Sequence, residues 1–264
     1  MTWGPVSLVG GGEHLEACVR ADRLILDLVG SRRPRVAILP VAASRRSRPA
    51  VSALGRTHWR RLGVDAAICG VEAGWLEHDL EVVAAADVVV LPGGHPGKLM
   101  RRLVMSPLFD AVVARWRSGG ALIGSSAGAM CLFERRLWLY PPNPLRVAPG
   151  LGVLGGYVVA PHFDRFRAVR WAHRVVSKVE GGRLLGIDES TALIGSGDGY
   201  HVVGPGAVTV VSPGHTKVLP SGALVGLYLA LPAGRVGSPR GAVAARPRLA
   251  GVAWANGRHD PSPG

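Results

Sequence analysis

Cysteine is scarce in this sequence: Cys18, Cys69 and Cys131 are odd in number and far apart. That spacing excludes a disulfide framework and a thiolate metal site, and leaves three small buried hydrophobes in a reducing compartment as the expectation. Lysine is scarcer still for a basic chain. Only Lys98, Lys178 and Lys217 stand among 31 basic residues, the remainder being arginine, and 18 acids leave a formal net charge of +13. Such an excess raises nucleic acid as a partner. The clusters Arg32-Arg33-Pro34-Arg35 and Arg45-Arg46-Ser47-Arg48, however, flank an apolar strand and are not interleaved with aromatics. A solvated basic surface is the expectation, with nucleic-acid binding kept as the minority alternative. Long apolar runs are also missing. The most apolar stretch, "VVAAADVVVLPGG", is short and interrupted by Asp87, so no membrane span is expected. The opening "MTWGPVSLVGGGEHLEA" has no basic leader region and meets Gly and Glu early, so a cytoplasmic location is expected.

What is present is an alternation of short β-branched runs with longer segments of helical period. "VSLVG" (6–10), "RVAILPV" (35–41), "VDAAICG" (64–70), "ADVVVLPGG" (86–94) and "ALIGSS" (121–126) read as five strands. Helices are expected across 16–29, between the second and third strands, and around 107–117. This order predicts an α/β fold with a mostly parallel, doubly wound sheet and helices on both faces. "RLLGID" and "TALIG" add strands, and "GYHVVGPGAVTVV" reads as an extra β-hairpin around Gly204-Pro205-Gly206. Residues 1–234 are expected to form one catalytic domain, and 235–264 a mobile tail rich in Gly, Pro and Arg.

Ligands of such sheets bind outside the carboxyl ends of the strands. Three stretches end strands there: "GGGE" (10–13), "LPGGHPG" (91–97) and "GSSAGA" (124–129). The last two carry the chemical reading. Gly124-Ser125-Ser126-Ala127-Gly128 fits the G-x-S-x-G strand-to-helix turn, with Ser126 at its centre and a helix starting at Ala127. The same residues would serve as a helix N-cap packed among small neighbours. Ser125 should point away.

A nucleophilic serine needs a base. Among nine histidines, His14, His58 and His259 have no acidic setting that suggests chemistry, and His173 lies in an arginine-rich helix, where it is expected to be solvated. His162 ends an apolar strand at the edge where Ser126 is expected, although a strand-end histidine satisfied by backbone is the plain alternative. Asp188-Glu189 sits between two apolar runs, an unusual place for an acid pair. Glu189 could orient His162 there, or serve only as a turn residue. Gly93-Gly94 could bring a backbone N–H to a substrate oxygen, with the N–H of Ala127 as second donor.

"LPGG", "IGSSAGAM", "PHF" with an arginine run, and "GIDESTAL", in this order, resemble the serine peptidase family of dipeptidase E and cyanophycinase. The resemblance covers roughly residues 5 to 220 and implies a class I glutamine amidotransferase-like fold. It implies a triad of Ser126, His162 and Glu189, an oxyanion hole at Gly94 and Ala127, and cleavage of an amide bond in a small, Asp-containing peptide. The chemistry needs no metal or organic cofactor. His95, Arg167 and Arg170 are the expected substrate contacts. The pattern departs from cyanophycinases at Pro96, where those carry Gln, at Ala160-Pro161, where an acid or glutamine pair is common, and in arginines 165, 167 and 170, displaced by one. The resemblance therefore carries the chemistry further than it carries cyanophycin as substrate.

Two other readings compete. An α/β-hydrolase order of Ser, acid, His would need Asp188 or Asp198 followed by His201 or His215. A non-catalytic domain binding a small acidic ligand or a partner would need none of these. The sequence does not fix the oligomeric state, and a homodimer is allowed.

Overall fold

A computed structural model describes residues 3–70, 74–138, 146–166, 169–179, 182–197, 199–227 and 229. The tail expected from residue 235, with His259, lies outside them, as do Arg167 and Asp198. In chain order the elements are β1 (Val6–Val9), a 3-10 turn (Glu16–Cys18), α1 (Val19–Val29), β2 (Val36–Ile38), α2 (Arg48–Arg61), β3 (Ala66–Ile68), α3 (Leu76–Ala85) and β4 (Val88–Leu91). Then come α4 (Pro96–Val104), α5 (Leu108–Arg117), β5 (Ala121–Ser125), α6 (Ala127–Leu132), β6 (Arg135–Trp138), β7 (Arg146–Pro149) and β8 (Val158–Pro161). A second 3-10 turn (Phe163–Phe166) leads to α7 (Val169–Val176), β9 (Leu184–Ile187), β10 (Ala192–Ser196), β11 (Gly199–Val203), β12 (Ala207–Ser212), β13 (His215–Pro220) and β14 (Leu224–Gly226).

The main sheet has eight strands in the order β14-β11-β10-β1-β5-β4-β2-β3. The five strands from β3 to β1 run parallel, and β10, β11 and β14 extend the sheet antiparallel beyond β1. Alternate residues of the parallel strands face different cores, as the two-residue period of a strand requires. Leu8, Ala37, Val89, Leu91 and Leu122 pack with α3, α4, α5 and α6 through Val83, Leu103, Phe109 and Ala129. Val36, Ile38, Val88, Val90 and Ile123 pack on the other face with Ala21 and Ile25 of α1 and Trp59 of α2. Helices thus cover both faces, and strands buried on both faces explain the continuous apolar run of "VVVL". A third core joins Val158, Ala160, Leu184 and Val211 of the second sheet to Ala172 and Val175 of α7.

The second sheet, β13-β12-β9-β8, corrects one expectation. β11 and β12 are both strands, but they do not pair with each other. β11 pairs with β10 and β14, whereas β12 pairs with β9 and β13. Gly204-Pro205-Gly206 therefore carries the chain from one sheet to the other. The hairpin near the C-terminus is β12–β13, closed between Ser212 and His215.

Strand register brings the site together. Val9 lies beside Ser125 and Leu91 beside Gly124, so β1, β4 and β5 end level. In the second sheet Pro161 pairs with Ile187 in parallel, so His162 and Asp188-Glu189 emerge side by side. No helix of the described residues is long and apolar enough to cross a membrane. The three cysteines are buried and free, and burial pushes each thiol up to about 12.

Candidate active site

Ser126 stands where β5 turns into α6 with φ 48° and ψ −108°, a backbone conformation that L residues rarely adopt. Small neighbours make this turn feasible. A Cβ on Gly128 would lie 2.0 Å from the Leu91 carbonyl oxygen, and one on Gly124 would lie 2.9 Å from the Ala129 nitrogen. The Ser126 N–H donates to the Val9 carbonyl at 2.9 Å, which fixes the turn to the end of β1.

The Ser126 hydroxyl lies 2.9 Å from Nε2 of His162. His162 Nδ1 hydrogen-bonds the Glu189 carboxylate. A carboxylate only accepts, so Nδ1 carries the proton and Nε2 is left to accept from the serine. Glu189 is held in turn. Its backbone N–H donates to Asp164 Oδ1 at 2.8 Å, and Arg165 Nη2 lies 3.2 Å from its Oε2. The first arginine of the run after His162 thus pairs with Glu189. Asp188, the other half of the acid pair, turns away and accepts the Ala207 N–H at 2.8 Å, which anchors the turn between the sheets. Burial raises its carboxyl above the ordinary range.

The loop after β1 touches every part of this arrangement. The Gly10 carbonyl accepts the His162 N–H at 2.9 Å, and the Gly11 carbonyl accepts the Ser190 N–H at 3.0 Å. Glu13, which the sequence reading passed over, lies beside the serine. Its Oε1 accepts the Gly93 N–H at 2.6 Å, and its Oε2 accepts the Ser125 hydroxyl at 2.7 Å. Ser125 therefore points away from Ser126, as expected, but toward this carboxylate. The signal that could have revealed Glu13 was its place in "GGGE", at the same strand edge as the other two motifs.

Gly94 has φ 137°, and a Cβ there would meet the Ala42 carbonyl at 2.7 Å. With the Gly93 N–H engaged by Glu13, the Gly94 N–H is the donor left on this loop. The Ala127 N–H opens α6, where an N–H has no partner within the helix. Gly94 and Ser126 line a cavity of about 460 Å³ together with Glu13, Ser47, His95, Lys98 and His162, among others. His95 caps α4, its Nδ1 accepting the Lys98 N–H at 3.3 Å. Burial, with Lys98 nearby, lowers its pKa. Arg170 lies in α7, and its side chain is outside the described residues, as is all of Arg167.

Two expectations for other histidines are corrected, those for His173 and His58. His173 is half-buried, its Nε2 3.0 Å from the Thr216 hydroxyl, because α7 packs on the second sheet. His58 does have an acidic setting. It is buried with Nε2 2.7 Å from Asp22 Oδ2, and the His14 ring lies 5.5 Å from it, also buried. His215 is exposed on β13, and the imidazole within reach of Ser126 is that of His162.

The model of Peptidase family S51 matches residues 6–203. The chain belongs to peptidase family S51. That is the serine peptidase family of the dipeptidase E and cyanophycinase type, in agreement with the resemblance carried by the sequence motifs. A cyanophycinase from Trichormus variabilis is 34% identical over 139 residues, 49% of this chain and 46% of the relative. A Nostoc cyanophycinase matches to the same extent. The match thus spans about half the length of these curated relatives. The crystal structure of a peptidase from an acI-B1 Actinobacterium superposes with a TM-score of 0.75 at 28% identity, over 86% of this chain and 98% of that one. A Listeria monocytogenes EGD-e structure named for peptidase E gives a TM-score of 0.59 at 14% identity, over 77% of this chain and 99% of that one, and shares the fold.

Proposed function

We propose that this S51 member hydrolyses an amide bond of a small peptide through Ser126, His162 and Glu189. The observation that carries the reading is the unbroken relay from the Ser126 hydroxyl through both nitrogens of His162 to Glu189. Ser126 attacks the scissile carbonyl while His162 Nε2 takes its proton, and Glu189 stabilises the imidazolium that forms. The N–H groups of Gly94 and Ala127 receive the negative charge that develops on the carbonyl oxygen. His162 then protonates the leaving amine, and water admitted to the vacated side cleaves the acyl-enzyme with His162 again as base.

A cavity of about 460 Å³ suits a short peptide, and Lys98 and His95 on its wall favour a carboxylate on the substrate. An Asp-containing dipeptide is the substrate this favours. Arg167 and Arg170 would add to the same preference from the segment after His162.

The test is turnover of an Asp-X dipeptide panel beside Ala-X and Lys-X controls, followed by amine release, with wild type and His162→Ala. The reading predicts cleavage by wild type alone, fastest for Asp-X. Absence of turnover of any peptide by folded wild type would move a non-catalytic, ligand-binding role to first place. Equal rates across the panel would remove the acidic preference while leaving the chemistry.

A further inference from the structure

We infer that Glu13 is a positioning residue that clamps the Gly93-Gly94 loop against the serine turn and so aims the Gly94 N–H at the oxygen of the reacting carbonyl. The inference rests on the peptidase reading above and adds to it a residue outside the triad.

Two hydrogen bonds carry it. The Glu13 carboxylate accepts from the Gly93 N–H at 2.6 Å and from the Ser125 hydroxyl at 2.7 Å. The two donors lie on different strand ends, β4 and β5, and the acceptor lies on a third, the loop after β1. A carboxylate offers acceptors only, so neither donor can reverse its direction. Engaging the Gly93 N–H fixes the peptide plane between Pro92 and Gly93, and the next N–H along, that of Gly94, is then left for substrate. Ser125 is fully buried, so the clamp's second anchor is rigid.

Packing says the same. A Cβ on Gly93 would stand 3.0 Å from Glu13 Oε1 and 3.2 Å from the Ser126 Cβ, so Gly93 is held between the clamp and the nucleophile. On the far side Gly94 is pressed against the Ala42 carbonyl. An oxyanion donor works only when it is in place before the reaction, and small misplacement costs rate with little effect on ground-state binding. Glu13 supplies that placement from outside the loop.

The test compares Glu13→Ala, Glu13→Gln and wild type in full-length protein, using aspartyl p-nitroanilide as substrate. Glutamine keeps the reach and one acceptor oxygen for the Gly93 N–H, and its amide group can donate to Ser125 instead of accepting. Glu13→Ala is expected to lower kcat roughly 10- to 100-fold with KM within about twofold. Glu13→Gln is expected to restore kcat to within about fivefold of wild type. A loss in Glu13→Gln as large as in Glu13→Ala, falling on KM, would show a charge contact with the substrate's ammonium and overturn the clamp.

Hydrogen exchange of the Gly93 amide, followed by NMR, reads the clamp without catalysis. The expected result is protection in wild type and Glu13→Gln, and exchange at least about 10-fold faster in Glu13→Ala. Unchanged exchange in Glu13→Ala would refute the clamp. Wild type that shows this protection pattern yet cleaves nothing would refute the peptidase reading instead.

Discussion

The imidazole of His162 occupies the space that a side chain on Gly11 would need. A Cβ at Gly11 would stand 2.1 Å from Cε1 and 2.5 Å from Nδ1 of His162, and Gly11 itself holds φ 146°. The His162 ring is therefore seated on bare backbone at the end of β1, and the residue's own N–H is tied to Gly10. Gly11→Ala should displace the ring and lower kcat roughly 100-fold or more. Circular dichroism should show the fold retained. Activity within a few-fold of wild type would mean that His162 does not depend on this seat.

Glu189 and Arg165 should differ sharply in effect. Removing the charge in Glu189→Gln should cost about 10³- to 10⁴-fold in kcat, since the imidazolium loses its partner and the tautomer its anchor. The Arg165 side chain is 64% exposed, so its pairing with Glu189 is screened by solvent. Arg165→Ala should lower kcat only a few-fold. Steady-state kinetics of both variants on one substrate checks the ranking.

Strain is concentrated at the site. Among the described residues the four non-glycine positions with positive φ are His14, Ser126, His162 and Ser190, and each belongs to the site or neighbours it. Such a backbone costs about 1–3 kcal/mol per residue. Ser126→Ala keeps that cost, whereas Ser126→Gly removes it at an entropic penalty of about 0.5–1 kcal/mol. Both variants should be inactive, and Ser126→Gly should melt at the higher temperature. Ser126→Gly melting at the lower temperature would show that the turn is unstrained, since only the entropic penalty would then remain.

His14 makes acid stability testable. Burial lowers its pKa below the ordinary 6.5, and His58 adds to that, while Glu13 and Asp22 oppose it. Below 6.5 the unfolded chain takes up a proton at this position that the folded chain resists. The stability associated with neutral His14 is therefore present above that pH and is lost as pH falls toward the lowered value. His14→Asn, which tolerates the positive φ, should lose less melting temperature than wild type between pH 7.5 and 5. Parallel pH curves for the two proteins would contradict this.

Much of this arrangement was legible in the sequence, and the parts that were not share a cause. The parallel strands announced themselves through apolar runs that a two-sided sheet requires, and Ser126, His162 and Glu189 each sit at the end of such a run. Local pattern gives a strand its existence but not its partner. That is why Val203 and Ala207, three residues of turn apart, were read as one hairpin although they lie in different sheets. Glu13 escaped for the same reason: its partners lie 80 and 112 residues away, and nothing beside it marks them. The Asp22–His58 pair, 36 residues apart, is another long-range contact of helices on one sheet face. The arginine run after His162 was visible as charge, but its pairing with Glu189 came only with the turn that folds Arg165 back.

The central claim is that Ser126 is an activated nucleophile. The direct measurement is covalent labelling of the full-length protein by a fluorophosphonate, with the modified residue located by peptide mass spectrometry. The account predicts one adduct on Ser126, absent in Ser126→Ala and strongly slowed in His162→Ala, with Ser125→Ala still labelled. An adduct on another residue, or equal labelling of wild type and Ser126→Ala, would contradict it.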